Sequence, residues 1–174
     1  MDRFLARATR LLAVQLLVLT AVIHLSWGLP RVFAYLDPAA LELYLSTAAV
    51  PDPRPVLFVL SGGTLVVGIA ATWLGYLPLA RAYRLGIAMM MLYVVGWTVW
   101  HTTGHGQLLF GEGVASTAGG GDSHHGGIVH TIVDHVVTLP LEAASKSAEV
   151  GTTVLLLALL RGDPDLSENE RWPW

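Results

Sequence analysis

Four long apolar stretches decide what this chain can fold into. A helix needs roughly 20 apolar residues to cross a hydrocarbon layer of about 30 Å. Residues 11–29, 56–77, 85–101 and 139–160 each approach that length. Gln15 and His24 are the strongly polar interruptions of the first stretch, Pro55 precedes the second, and Arg161 closes the fourth. Lipid offers a backbone no hydrogen bonds, so such stretches fold as helices. The expectation is an all-α polytopic membrane four-helix bundle, one membrane domain over residues 1–174. Charged residues make up 13% of the chain, against roughly 25% in a soluble domain, which agrees with lipid as the solvent.

The basic start (Arg3, Arg7, Arg10) reads like the head of a signal peptide. The apolar run that follows exceeds the usual span of about 7–15 residues. Retention as a first span is therefore expected, despite a weak cleavage-like step at Val32-Phe33-Ala34. Orientation follows from the arginines. With the N-terminus inside, the inner segments hold Arg3, Arg7, Arg10, Arg81, Arg84, Arg161 and Arg171, and the outer ones only Arg31 and Arg54. That positive-inside bias places both termini in the cytoplasm of a multi-pass cell-membrane protein.

The outer connections, residues 30–55 and 102–138, are the long ones, and each is expected to carry a short interfacial helix. In the first, Asp37-Pro38 reads as an N-cap followed by proline at the first helical position. Ala39 to Thr47 then forms the helix, and the prolines at 51, 53 and 55 end it. The second begins with a glycine-rich stretch containing His105, His124 and His125. Its helix is expected over residues 128–137, with His130, Asp134 and His135. Residues 162–174 form an acidic cytoplasmic tail.

The last span carries the most informative side chains. Glu142, Lys146, Glu149 and Thr153 are spaced 4, 3 and 4, which aligns them in one helical stripe. Charges inside a span are expensive and are expected to pair and to face the bundle interior. The competing reading is that Glu142 and Lys146 lie shallow and snorkel to the headgroups. Small-residue rows at Ala144, Ala148 and Thr152, at Ala143, Ser147 and Gly151, and at Thr64, Gly68 and Thr72 are expected to serve as helix-packing surfaces.

Histidines are the other candidates. Tyr93, Trp97, His101 and His105 fall at successive i+4 steps. If the third helix continues past Trp100, His101 and His105 have the spacing of paired metal ligands. The competing reading places them in an interfacial belt with Trp97 and Trp100. A transition metal or haem b held by His24, His101 or His105 is one expectation, and a proton-sensing role another. Measured from the ends of the expected spans, His24, His101 and Glu149 lie about 7, 0 and 13 Å deep. They should therefore form a vertical polar channel rather than one ring, with His24 facing Glu149 or Lys146 and His101 above them.

Two segments carry a resemblance. Ala21-Val22-Ile23-His24-Leu25 with Trp27-Gly28-Leu29, and Leu139-Pro140-Leu141-Glu142 with Lys146 and Glu149, resemble small uncharacterised haloarchaeal four-helix membrane proteins. The resemblance implies the fold and no activity.

The chain has no cysteine, which excludes disulfides, thiolate metal sites and cysteine nucleophiles. It also lacks a GxSxG, HExxH, P-loop or dinucleotide-binding pattern, and its scattered basic residues give no nucleic-acid surface. The leading expectation is a non-enzymatic integral membrane protein, bathed in lipid, whose outer-facing His/Glu/Lys site binds a cation or a partner subunit. The alternatives are a b-type haem carrier with His24 and His101 as axial ligands, and an accessory subunit of a larger membrane complex.

Overall fold

The structure, a computed structural model, describes residues 1–47, 52–102, 133 and 137–170. Among them the chain forms five α-helices and no strand: α1 (Arg3–Tyr35), α2 (Pro38–Thr47), α3 (Arg54–Trp73), α4 (Leu79–Thr102) and α5 (Pro140–Gly162). A short 3-10 turn follows at Glu168–Glu170. All but α2 are long and apolar enough to cross a membrane. Their outward faces expose Val18, Val22, Val67, Leu92, Val95 and Val154, an arrangement compatible with lipid contact.

Each boundary has a local cause. Asp2 caps α1 by accepting from the Leu5 N–H at 2.7 Å. α1 then passes through Pro30 and ends at Tyr35, not near Leu29. Membrane helices tolerate such a proline where other donors compensate, and Arg31 Nη1 donates to the neighbouring Trp27 carbonyl at 2.8 Å. The expected cap of α2 is in place, with Asp37 Oδ1 accepting from the Ala39 N–H at 3.0 Å. α3 stops at Trp73 rather than continuing to Leu77, because Gly75 adopts φ +79°. The Tyr76 N–H then reaches the Ala71 carbonyl at 2.8 Å and the Gly75 N–H reaches Thr72, a Schellman closure that favours glycine. α4 starts six residues before the expected Leu85, so Arg81 and Arg84 belong to the helix. The second expected interfacial helix, with His130, Asp134 and His135, lies almost wholly outside the described residues.

α1 is the hub: it packs against α3 on one side and α5 on the other, and α4 packs on the far side of α5. α3 and α4 barely touch, which leaves a fissure between them. α1 and α3 approach closely at two glycines. A Cβ on Gly28 would lie 2.8 Å from the Pro55 carbonyl oxygen, and one on Gly62 would lie 2.9 Å from Leu25. This is the small-residue contact expected in lipid, but not at the row proposed for it. Thr64, Gly68 and Thr72 line the fissure instead of a helix contact. On α5, Ala148 and Thr152 are buried, whereas Ala144 and Ser147 face outward.

The end of the bundle that carries the start of α1 and the end of α5 is closed by a polar clasp. Asp163, fully buried, accepts from Arg10 Nε at 2.8 Å, from Arg10 Nη2, and from the Tyr83 hydroxyl at 2.6 Å. Arg10 also reaches Asp165 at 2.6 Å. Leu166 is buried in a core with Ala13, Tyr83, Leu159 and Leu160, and Arg84 donates to the Glu170 carbonyl at 2.7 Å. Residues 163–170 of the acidic tail thus dock beneath α1, α4 and α5.

Candidate functional site

The fissure between α3 and α4 opens into two chambers. The one at the end away from the termini has a volume of about 460 Å³, within the size range of small-molecule sites. Aromatic rings wall it: Trp27 from α1, Phe58 from α3, and Tyr93, Trp97 and Trp100 from α4. Its polar groups come from His24, Arg54, His101, Glu142, Ser145 and Lys146.

Beside this chamber lies a buried polar cluster. Glu149 is fully buried. Its Oε1 accepts from the Ser145 hydroxyl at 2.8 Å and its Oε2 from Lys146 Nζ at 2.5 Å. Both donors sit one turn earlier on the same helix, where i+3 and i+4 positions meet. Across the α1–α5 interface, His24 Nε2 stands 4.0 Å from Glu149 Oε1. The His24 ring is 4% exposed and wedged between Tyr93 and Phe58, at 4.4 and 4.7 Å between centroids. Its Nδ1 is buried without a hydrogen-bond partner among the described residues. The Tyr93 hydroxyl is buried and directed toward Ser61.

His24, Lys146 and Glu149 are therefore brought together. The depths inferred from sequence need correction. α1 runs eleven residues beyond His24, about 16 Å at 1.5 Å per residue, so His24 lies as deep as Glu149. His101 sits two turns along α4 from Tyr93 toward the chamber's far end. There its ring packs on Trp97 at 4.6 Å and its Nδ1–H donates to the Trp97 carbonyl at 2.9 Å. Glu142 accepts from Trp97 Nε1 at 3.2 Å. Thr153 directs its hydroxyl to the Glu149 carbonyl at 2.9 Å. His105 lies outside the described residues, as do His124 and His125.

Sequence reading missed Ser145 and Arg54. Ser145 was legible as the i−4 neighbour of Glu149 once that residue is taken as buried. Arg54 pairs with Asp52, Nη2 to Oδ2 at 2.6 Å, and lies over the Trp100 ring at 4.3 Å. Lys146 lies over Trp97 at 5.8 Å. These are cation–π distances, and Arg54 also lies 5.7 Å from the Trp27 ring, so the chamber's own side chains already cover a face of each of its three indoles.

His24 does not present its Nε2 to a haem. A porphyrin standing on His24 Nε2 needs the space that the Glu149 carboxylate fills 4.0 Å away. Tyr93 and Phe58 pack on the imidazole from other directions. Among the described residues, no three of His, Asp and Glu converge as metal ligands. Comparison with protein-family models, with curated proteins and with solved structures gives no match to the chain.

Proposed function

We propose that this chain is an integral protein of the cell membrane, with both termini cytoplasmic, whose outward chamber binds a small molecule with a polar head. The observation that carries this reading is the termination of an aromatic-walled cavity of about 460 Å³ on the His24–Glu149–Lys146 cluster. Ionisable groups inside a membrane bundle are expensive to maintain and mark function more often than structure. The reading is binding rather than catalysis, because the chamber's cations are engaged with carboxylates. It turns from a cation toward a neutral polar group, because Arg54 and Lys146 already occupy the indole faces that would hold a cation.

Gly96 gives the test. It lines the chamber, and a Cβ there would meet nothing within 4 Å, so Gly96→Phe adds a ring to the chamber's lining without a clash at its Cβ. The wild-type protein and this variant are purified from membranes, extracted with organic solvent, and the extracts compared by mass spectrometry. A small molecule retained stoichiometrically by the wild type and lost from Gly96→Phe is the expected result. Identical extracts from two equally folded proteins sink the proposal.

A further inference from the structure

The second chamber of the fissure has a volume of about 1050 Å³, at the top of the range for small-molecule sites. Leu17 of α1, Leu65 and Ile69 of α3, Met89 of α4 and Leu156 of α5 are among the side chains that line it. Leu11, Val14 and Leu85 also line it yet are exposed, so this groove is open sideways to the surrounding hydrocarbon. From Leu79 to Leu92 on α4, both lining residues, is thirteen residues, or about 20 Å of helix. One leaflet is about 15 Å deep, half of a hydrocarbon layer of roughly 30 Å. The groove thus runs the depth of about one leaflet.

Its hydroxyls are engaged. Those of Thr64 and Thr72 bond back to the carbonyls of Leu60 and Gly68 at 2.8 and 2.7 Å, and that of Tyr83 donates to Asp163 at 2.6 Å. The charged residues of the lining are Arg7 and Arg10, both near the start of α1, and no Asp or Glu joins them there. Arg10 is held by Asp163 and Asp165. Arg7 is exposed and has no carboxylate partner among the described residues. The groove is therefore an apolar channel of leaflet depth with one uncompensated cation at its end. A plain hydrocarbon occupant leaves that cation unanswered, and a zwitterionic lipid brings a second cation beside it. A lipid with a net negative head answers both parts, its chain in the groove and its phosphate at the guanidinium.

We infer that this groove is a binding site for an anionic phospholipid, with one acyl chain between α3 and α4 and the phosphate against Arg7. The site is separate from the outward chamber and stands whether or not that chamber binds a ligand. Gly68 gives access to the groove by mutation, because it lines the space and a Cβ there meets nothing within 4 Å. Affinity for a lipid held this way depends on Gly68 and on Arg7 separately, one through the chain and one through the head. A lipid that merely surrounds the protein depends on neither.

The full-length protein is purified in a mild detergent and mixed with equal amounts of phosphatidylglycerol and phosphatidylcholine carrying the same acyl chains. Retained lipid is read by native mass spectrometry. The wild type is expected to retain one phosphatidylglycerol about fivefold over phosphatidylcholine, the preference one arginine supplies near a headgroup. Arg7→Gln should retain both lipids equally, whereas Arg161→Gln, which removes an exposed arginine from the same end of the bundle but outside the groove, should keep the preference. Gly68→Phe should lose both lipids. Gly63→Phe makes the same change on the same helix, at another position with nothing within 4 Å and outside the groove, and should retain them. Equal retention of the two lipids by the wild type, or equal loss of preference in the Arg7 and Arg161 variants, overturns the placement of the head. Retention that survives Gly68→Phe overturns the placement of the chain. A dimer mass in place of the lipid adduct, lost in Gly68→Phe, overturns the lipid and makes the groove a contact between two copies.

Discussion

His24 Nε2 on α1 and Glu149 Oε1 on α5 stand 4.0 Å apart in the buried interface between the two helices. The same carboxylate takes Lys146 on its other oxygen, so one acid is shared by an imidazole from across the interface and an ammonium from its own helix. The ammonium and the imidazole both line the chamber, whereas the Glu149 side chain has no exposure. The carboxylate is thus a buried support for Lys146 and an anchor between α1 and α5.

Lys146→Met leaves that carboxylate buried with Ser145 as its remaining hydrogen-bond donor. Breaking one side of a buried pair costs about 3–5 kcal/mol, and the partial exposure of Lys146 sets the expectation near the lower end. Melting temperature in detergent should fall clearly for Lys146→Met and recover in part when Glu149→Gln is added. An unchanged melting temperature in the single variant means that Lys146 contributes through the headgroup region alone.

The helices were legible because lipid imposes one rule on all of them, and a run of apolar residues reports it directly. Their ends were legible only where a local signal marks them. Asp37 and Pro140 placed the starts of α2 and α5 correctly, whereas Gly75, equally visible, was passed over and α3 was drawn too long. The first span was drawn too short in the opposite sense, ending at residue 29 instead of Tyr35, and that shifted His24 to the wrong depth. The 4–3–4 spacing on α5 brought Glu142, Lys146 and Glu149 to one face. It could not show that Thr153 prefers its own backbone, nor that Ser145 takes its place. Pairs such as Gly28 with Pro55, or Arg10 with Asp163, depend on how helices cross, and no periodicity within one helix encodes that.

Topology is tested independently of any ligand. Arg10 on α1 contacts Asp163 just beyond α5, so the start of the first long helix and the end of the last share one end of the bundle. The orientation proposed from the seven-to-two arginine bias makes that end cytoplasmic. Reporter fusions after Ala80 should read cytoplasmic and fusions after Leu45 external. The reverse pattern at either position overturns the orientation, and with it the outward direction of the ring-walled chamber.

The clasp at the termini makes a prediction in pH. Burial alone pushes the Asp163 carboxyl up, but hydrogen bonds from Arg10, from the Tyr83 hydroxyl and from the Asp165 N–H outweigh it and hold the group below its ordinary value of 3.8. A carboxyl depressed in the folded state binds its proton less readily there than in the unfolded chain. Its contribution is therefore complete above the ordinary value and is lost as pH falls through the folded one. Asp163→Asn removes the charge while keeping the shape, and should cost about 1.5–3 kcal/mol at neutral pH, the range for hydrogen bonds to charged groups. Melting temperature in detergent should separate wild type from variant at pH 7, and the gap should narrow as pH falls below 3.8. A gap that stays constant across that range would show that Asp163 acts through packing and neutral hydrogen bonds, and that the guanidinium contributes nothing to the docking of residues 163–170.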